Sequence, residues 1–279
     1  MEKYDLIPKQ LIYEGTFSKN DFITPKIIDE NIILMTHDKQ YVKKIFNLKL
    51  DESEIRKVGF PLTKKLIERE RIIASGTLEG SIKALKDGIS MNIAGGTHHA
   101  FYDRGEAFCL LNDQAIAAKY LINNKLSKKI LIIDLDVHQG NGTAKIFKNN
   151  DTVFTFSMHG KNNFPFKKEE SNLDIGLPDK ISDEKYLKYL KNIVPKLIKN
   201  VKPDFIFYLC GVDILETDKL GRLSISIDGC KERDRYILSV CKKNRIPVQC
   251  SMGGGYSEDL RIIIEAHSNT FRQAKNLYC

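Results

Sequence analysis

Residues 130–142 read ILIIDLDVHQGNG, an apolar run that changes abruptly into polar residues and glycines. Four consecutive branched apolar residues predict a β-strand that is buried on both faces. Working outward, similar short apolar runs lie at 89–94, 153–157, 205–209 and 248–252. Helical patterns separate these runs, and strands that alternate with helices form parallel sheets covered on both faces. The sequence therefore predicts an α/β fold, a three-layer α/β/α arrangement with a mostly parallel central sheet.

The segments between the predicted strands carry apolar residues at helical spacing. Asn112 is of a type that caps helices, because its side chain can accept a hydrogen bond from the first turn. The first 60 residues show a weaker pattern, with a short helix expected to begin within 36–42. We expect the other helices over 61–86, from Asn112, over 182–200 with Pro195 as a candidate kink, over 229–244 and from Ser257.

Length and composition restrict the class of protein. The chain has 279 residues, of which 42% are hydrophobic and 29% charged, and this balance excludes fibrous and disordered classes. No linker rich in proline, glycine or serine divides it, so we expect a single catalytic domain over residues 1–279. No apolar run reaches the ~18 residues that a membrane-spanning helix needs. The first residues also lack the pattern of a secretory signal.

Cysteine usage and charge bear on compartment and partners. The six cysteines include no C-x-x-C pair, and several lie in apolar runs, which predicts free thiols in the reducing cytoplasm. The net charge of +8 comes from basic residues that are scattered and often alternate with acidic ones. We therefore expect a basic surface and no direct binding of nucleic acid, and the oligomeric state stays open.

Polar residues and glycines follow five of the predicted strands. In an open α/β sheet, ligands bind beyond the carboxyl ends of the strands. Packing alone does not explain glycine, histidine, aspartate and tyrosine at every one of these ends, so the sequence predicts a functional site at this edge. The segments concerned are 95–99, 134–142, 157–159, 211–213 and 253–256.

Asp136 and His138 form the sharpest local pattern. In extended backbone, residues two apart point to the same side, so both side chains can bind one cation, and Asp213 can approach from another strand end. Three protein ligands leave a coordination position open, which is typical of catalytic metal sites. The alternative is that Asp134 and Asp136 only cap turns, but the neighbouring histidine pair favours the metal site.

His98 and His99 are the candidate acid–base residues, since adjacent histidines beside a metal can accept and donate protons. Each needs a partner that fixes its tautomer, and Asp134 and Asn141 are the candidates. Tyr256 follows three glycines, and a hydroxyl held there could donate a hydrogen bond to a developing oxyanion. The alternative for Tyr256 is a packed tyrosine after a glycine turn.

The motifs at 95–101, 105–109, 134–142, 211–213 and 253–256 together resemble the zinc-dependent histone deacetylase family. The resemblance runs from about residue 36 to 271. Within the family, residues 212–224 and Gln139 resemble the class IV branch and its bacterial relatives. The resemblance implies an arginase/deacetylase-like fold.

The resemblance also implies roles for individual residues. It implies one zinc ion on Asp136, His138 and Asp213. It implies that His98 pairs with Asp134, that His99 pairs with Asn141 and is the main base and acid, and that Tyr256 binds the amide oxygen. Phe108, Phe164 and Gly254 would line the substrate channel, with Leu220 at its rim. A structural potassium ion would bind near Asp134, Asp136, His138, Ser157 and Met158.

The implied activity is hydrolysis of the ε-amide of acetyl- or acyl-lysine in proteins. Acyl-chain length and physiological substrate stay open. The alternatives are a deacetylase of small acylated amines such as acetylpolyamines, a two-manganese ureohydrolase of the same fold, and a catalytically weak acyl-lysine binding protein. Leu220 stands where polyamine-specific relatives carry an acidic residue, which disfavours the first alternative.

The sequence departs from the family pattern at three places. Ala107 replaces a glycine beside the channel phenylalanine, so we expect a narrower or shifted channel wall. Asn141 replaces the aspartate of class I, so we expect a different pKa for the base. The chain also begins late relative to the family, whose members usually carry an additional first strand, so we expect an altered rim.

Overall fold

The computed structural model describes residues 2–279. Six strands form one sheet in the order β1-β6-β5-β2-β3-β4, and every neighbouring pair is parallel. The predicted parallel sheet is therefore confirmed. The strands are β1 (Ile89–Asn92), β2 (Ile130–Asp134), β3 (Val153–Gly160), β4 (Leu173–Leu177), β5 (Phe205–Leu209) and β6 (Val248–Ser251).

Helices cover the sheet. The long ones are α5 (Lys64–Asp87), α8 (Asp183–Val201), α9 (Ile227–Asn244) and α10 (Leu260–Tyr278). The shorter ones are α1 (Lys3–Tyr13), α2 (Glu30–Ile33), α3 (Lys39–Phe46), α4 (Glu52–Val58), α6 (Asp113–Asn123) and α7 (Asn141–Ile146). Across residues 2–279, no helix is both long and apolar enough to cross a membrane.

The central strands β2 and β5 separate two hydrophobic cores. Ile130 and Ile132 pack with residues of α5 and α6 on one face, whereas Leu131 and Ile133 pack with residues of α8, α9 and α10 on the other. Successive side chains of a strand point to opposite faces, so an uninterrupted apolar run buries both. This is the three-layer α/β/α arrangement expected from the sequence.

Capping residues explain where several helices begin. Asn112 accepts a hydrogen bond from Ala115 N and caps α6, as predicted. The helix expected over 61–86 begins at Lys64 instead, because the Thr63 side chain caps its first turn. The last helix begins at Leu260 rather than Ser257, after the cap Asp259.

Strand β4 and the helices α1, α2, α4 and α7 were not expected from the sequence. Strand β4 is short and lies at the edge of the sheet, and its polar residue Asp174 is exposed. An interrupted pattern of this length is a weak signal for a strand. Helix α1 carries Pro8 in its interior and packs against α10. Only the tertiary contact explains why its apolar residues are buried.

Candidate active site

Asp136, His138 and Asp213 meet at the carboxyl edge of the sheet, and we call them the Asp-His-Asp group. Their ligand atoms all lie within 4.8 Å of one another. His138 Nδ1 is 3.1 Å from Asp136 Oδ1 and 3.3 Å from Asp213 Oδ2. Asp213 Oδ2 is buried yet accepts no hydrogen bond from residues 2–279. Because a buried carboxylate oxygen is costly without a partner, this donor set fits a bound cation.

The backbone around the group holds its carboxylates in place. Asp136 Oδ2 accepts a hydrogen bond from Gly254 N at 2.9 Å, and Asp213 Oδ1 accepts one from Val137 N at 2.9 Å. A Cβ atom at Gly254 would overlap Asp213 Oδ2, so the close approach requires glycine there. Each acidic residue is thus oriented by a strand end other than its own.

The group is strongly coupled electrostatically. Burial by itself lowers the pKa of His138, but the adjacent carboxylates of Asp136 and Asp213 outweigh it and raise the pKa to about 10. Burial and the Asp136 carboxylate raise the pKa of Asp213 to about 7. The group therefore retains protons near neutral pH that a bound metal ion would displace.

His98 is paired with a carboxylate. Its Nδ1 lies 2.7 Å from Asp134 Oδ2, and both side chains are buried. Burial lowers the pKa of His98, but the charges of Asp134 and Asp136 outweigh this effect and raise the pKa to about 9. His98 is consequently held in its protonated form at neutral pH.

His99 has a neutral partner instead. Its Nδ1 lies 2.7 Å from Asn141 Oδ1, while Asn141 Nδ2 donates a 2.9 Å hydrogen bond to Glu106 Oε1. Glu106 accepts only, so it orients the Asn141 amide with its oxygen towards His99, whose Nδ1 then carries the hydrogen. Burial and the neighbouring His98 hold the pKa of His99 well below its usual range. A neutral imidazole with a free Nε2 can act as a base.

Tyr256 lies beside the group on the glycine turn after β6. Its backbone N–H donates to Asp218 Oδ2 at 2.6 Å. Burial, together with the charges of Asp213 and Asp136, raises the pKa of Tyr256, so its hydroxyl stays protonated and can donate a hydrogen bond.

These side chains surround one cavity of about 430 Å³. The predicted channel residues Phe108, Phe164, Leu220 and Gly254 line it. The Phe164 ring meets the His99 ring edge to face at 5.1 Å between centroids. Asp134 and Asn141 lie behind the two histidines and do not line the cavity. The lining also includes His98, His99, Asp136, His138, Asp213 and Tyr256.

Comparison with known proteins identifies the family. The histone deacetylase domain profile matches residues 1–271. An uncharacterized protein of Picosynechococcus sp. is 39% identical over 278 residues, which cover 100% of this chain and 93% of the relative. This chain belongs to the histone deacetylase family. Histone deacetylase 2 of Arabidopsis thaliana is 26% identical over 281 residues, covering 97% of this deacetylase and 73% of the relative.

The fold comparison agrees with the family. A crystal structure described as an HDAC homolog complexed with SAHA superposes with a TM-score of 0.84 at 21% identity. The superposition covers 97% of this chain and 77% of that chain. The predicted arginase/deacetylase-like fold is confirmed. The protein is a hydrolase of the deacetylase type, and its family is in general zinc-dependent.

The deacetylase contains a buried arginine that the sequence pattern did not reveal. Arg233 of α9 is completely buried. Its guanidinium donates to the carbonyl oxygens of Gly211 at 2.7 Å, Cys210 at 3.2 Å and Leu135 at 3.3 Å, and to Asp234 Oδ1 at 2.8 Å. These carbonyls belong to the two segments that carry the acidic members of the Asp-His-Asp group. Arg233 therefore ties both segments together from behind.

Lys3 is the second residue that the sequence pattern did not reveal. Its Nζ donates to Gly253 O at 3.1 Å and lies 5.6 Å from the centre of the Tyr256 ring. Burial lowers the pKa of Lys3, although the nearby Asp213 and Asp136 oppose this effect. A lysine so far away in sequence from the glycine turn gives no pattern by which its contact could be predicted.

The residues suggested for potassium are neighbours in the deacetylase. Asp134 and Ser157 are partners in the β2–β3 register, and Met158 follows on β3. Asp136 and His138 lie on the loop directly after β2. The five residues are thus contiguous at the ends of two adjacent strands.

The departure at Ala107 has a visible consequence. Ala107 and Phe108 both have positive φ, 43° and 69°. The left-handed region is costly for residues with a Cβ atom, which explains why glycine is favoured at such a position. Ala107 N donates to Lys57 O and Phe108 N to Val58 O, so the end of α4 holds this strained wall.

Proposed function

We propose that this deacetylase hydrolyses the ε-amide of acetyl- or acyl-lysine in proteins, with one zinc ion held by Asp136, His138 and Asp213. The observation that carries the proposal is the buried Asp-His-Asp group, with an unpartnered carboxylate oxygen, at the base of an aromatic-lined cavity. Two oxygens and one nitrogen suit zinc, and three protein ligands leave a position open for chemistry.

A bound zinc ion would polarise the amide carbonyl and lower the pKa of a coordinated water. The protein's own residues then manage the protons. Neutral His99 accepts the proton of the attacking water at Nε2 while the carbon–oxygen bond forms, and it returns that proton to the amine nitrogen as the carbon–nitrogen bond breaks. His98, protonated beside Asp134, stabilises negative charge in the reacting group.

The Tyr256 hydroxyl donates a hydrogen bond to the amide oxygen as that oxygen acquires negative charge. Phe108 and Phe164 suit the apolar stem of an acylated lysine, since an aromatic wall excludes water along the butyl chain. The same residues provide a reason why acyl-lysine is favoured over a hydrophilic amine.

The small-amine alternative has less support. Outside the Asp-His-Asp group, no acidic residue within 2–279 lines the cavity, so nothing attracts the additional positive charges of an acetylpolyamine. A catalytically weak binding protein is also disfavoured, because the metal-ligand set, both histidines and Tyr256 are all retained.

We extend the proposal in four respects. Potassium near Asp134 and Ser157 is supported by their adjacent strand ends, and membership of the class IV branch by Gln139 and residues 212–224. A cytoplasmic location is supported by six free cysteines, five of them buried. A single catalytic domain is supported by the one sheet whose strand ends are followed by the proposed metal ligands, both histidines and Tyr256.

Turnover of a substrate panel tests the proposed function. Zinc-loaded protein is given acetyl- to myristoyl-lysine peptides and acetylated polyamines, with and without a chelator. We expect chelator-sensitive removal of the acyl group as a carboxylate, which leaves a free lysine ε-amine in at least one peptide, with a higher kcat/KM than for any polyamine. A preference for polyamines would support the alternative, and binding without turnover would support the weak binding protein.

A further inference from the structure

The mouth of the cavity carries basic side chains on two sides. Arg56 and Lys57 lie at the end of α4, and Arg222 follows Leu220 on the opposite loop. All three line the cavity, and their side chains reach solvent, with 73% of the Arg56 side chain and 57% of the Arg222 side chain exposed. We call Arg56, Lys57 and Arg222 the basic rim.

The basic rim is attached directly to the walls of the channel. The Lys57 carbonyl accepts from Ala107 N at 2.9 Å, next to the channel residue Phe108. On the other side, Asn163 Nδ2 donates to Leu220 O at 2.7 Å and so links the Phe164 loop to the segment that carries Arg222. A peptide whose acylated lysine enters the channel would therefore place its flanking residues beside these cations.

Little within the described residues neutralises the rim. Arg56 faces Glu52 at 3.5 Å, but 92% of the Glu52 side chain is exposed. Arg222 faces Asp179 at 3.6 Å, also in an exposed pair. Lys57 forms no ion pair within residues 2–279. Exposed pairs of this kind are weak, so the three cations remain available to a ligand.

Two further observations define the charge of the mouth. Arg69 also lines the cavity, but its guanidinium lies 2.7 Å from the carboxylate of the buried Glu70. Because Glu70 balances the charge of Arg69, we do not count Arg69 in the rim. The acidic residues that line the cavity are Asp136 and Asp213, both at its base. A divalent ion would balance those two carboxylates and leave the basic rim as the dominant charge.

We propose that the basic rim makes this deacetylase selective for acylated lysines that lie between acidic residues in a protein or peptide. The inference rests on the proposed function and adds the substrate class. Like-signed charges focused at the mouth of a low-dielectric cleft raise the local concentration of oppositely charged ligands. The same field repels basic peptide flanks and cationic polyamines.

The test compares acyl-lysine peptides of one length that differ only in acidic, neutral or basic flanks. Both the Kd and kcat/KM are measured on zinc-loaded protein at low and high salt. We expect acidic flanks to exceed basic flanks by about tenfold or more at low salt, in the range of electrostatic steering. The ratio should approach one as salt shortens the screening length from about 30 Å at 0.01 M to about 3 Å at 1 M.

Charge reversal then assigns the preference to the rim. The double variant Arg56→Glu with Arg222→Glu should remove or invert the preference, read as the ratio of kcat/KM and of Kd between acidic-flanked and basic-flanked peptides measured on the same variant. The matched control is Lys196→Glu, an exposed lysine of α8 at the opposite, amino-terminal edge of the sheet, which should leave the preference unchanged.

The outcomes separate the two proposals. Equal Kd and kcat/KM for all flanks, or a preference that survives the double reversal, would overturn the role of the basic rim while the proposed function stands. A flank preference in Kd without turnover of any peptide would contradict the proposed function and still support the rim.

Discussion

The base and the mouth of the cavity differ in how their side chains are held. At the base, the aspartates, His98 and His99 are buried, and only 12% of the His138 side chain is exposed. Each carboxylate accepts at least one hydrogen bond from backbone or imidazole. At the mouth, the cations are exposed and their ion pairs are long. Buried charges are strongly coupled, whereas exposed charges are screened by water and salt. Substitutions should therefore have large, local chemical effects at the base and small, salt-dependent effects at the mouth.

The largest effect is expected from Asp213→Asn. The change removes one of the two carboxylate charges of the Asp-His-Asp group. Asparagine has nearly the same size as aspartate, and its side-chain oxygen can still accept the hydrogen bond from Val137 N. Since loss of a partner behind a metal ligand already costs 10–100-fold in affinity, we expect zinc affinity to fall by at least about 100-fold. Zinc affinity is measured by chelator competition, and turnover should fall in parallel. The exposed Asp228→Asn is the control, and unchanged zinc affinity in Asp213→Asn would contradict the assignment.

Arginine can be compared directly in the two regions. Arg233→Met removes the positive charge that balances buried Asp234 and the donor of three backbone carbonyls, so we expect a loss of about 3–5 kcal/mol in the free energy of unfolding. Arg56→Met at the mouth should stay within about 0.5 kcal/mol. Denaturant unfolding measures both, and chelator competition should show weaker zinc binding in Arg233→Met alone. Equal stability of the two variants would contradict the view that charges at the base are strongly coupled while those at the mouth are screened.

The proton chemistry of the base is tested by Asn141→Asp. A carboxylate beside His99 Nδ1 favours the imidazolium form and raises the pKa of His99. Because His99 acts as a base only when neutral, activity at acid pH should fall. The acidic limb of the kcat/KM profile should therefore move to higher pH by about 1 unit or more. A control is Asn150→Asp, in the turn before β3, which should leave the profile in place. An unshifted limb in Asn141→Asp would show that His99 is not the base.

A small gain in stability is expected at the mouth from Ala107→Gly. Glycine adopts positive φ without the Cβ penalty but loses more backbone entropy on folding, so we expect a net gain of about 0.5–1 kcal/mol. Thermal unfolding measures the change, and Ala118→Gly in the interior of α6 should instead be destabilising. A loss of stability in Ala107→Gly would mean that the wall is not strained at this position.

Local patterns were sufficient for much of the fold and of the candidate site. The apolar run at 130–133 predicted a central strand, and the spacing of Asp136 and His138 placed two side chains on one side. Both depend on contacts between residues that are close in sequence. The edge strand β4 was not found, because five residues interrupted by Asp174 and Gly176 carry little periodic signal.

Long-range partners were not predictable in the same way. Arg233 reaches the carbonyl of Leu135 from 98 residues away, and Lys3 reaches that of Gly253 from 250 residues away. Glu106 orients Asn141 through a contact that no spacing suggests. Their roles depend on how helices pack against strand ends, which a single sequence does not contain.

The sequence by itself determined the alternation of buried strands and helices, and the residue types available at each strand end. It did so because burial and side-chain direction follow from neighbours along the chain. Only the tertiary structure decided which carboxylate oxygen stays without a partner, which histidine is neutral, and where the cations of the mouth stand. These properties arise from the burial of side chains and from interactions between charges on segments that are far apart in sequence. They exist only once the chain is folded.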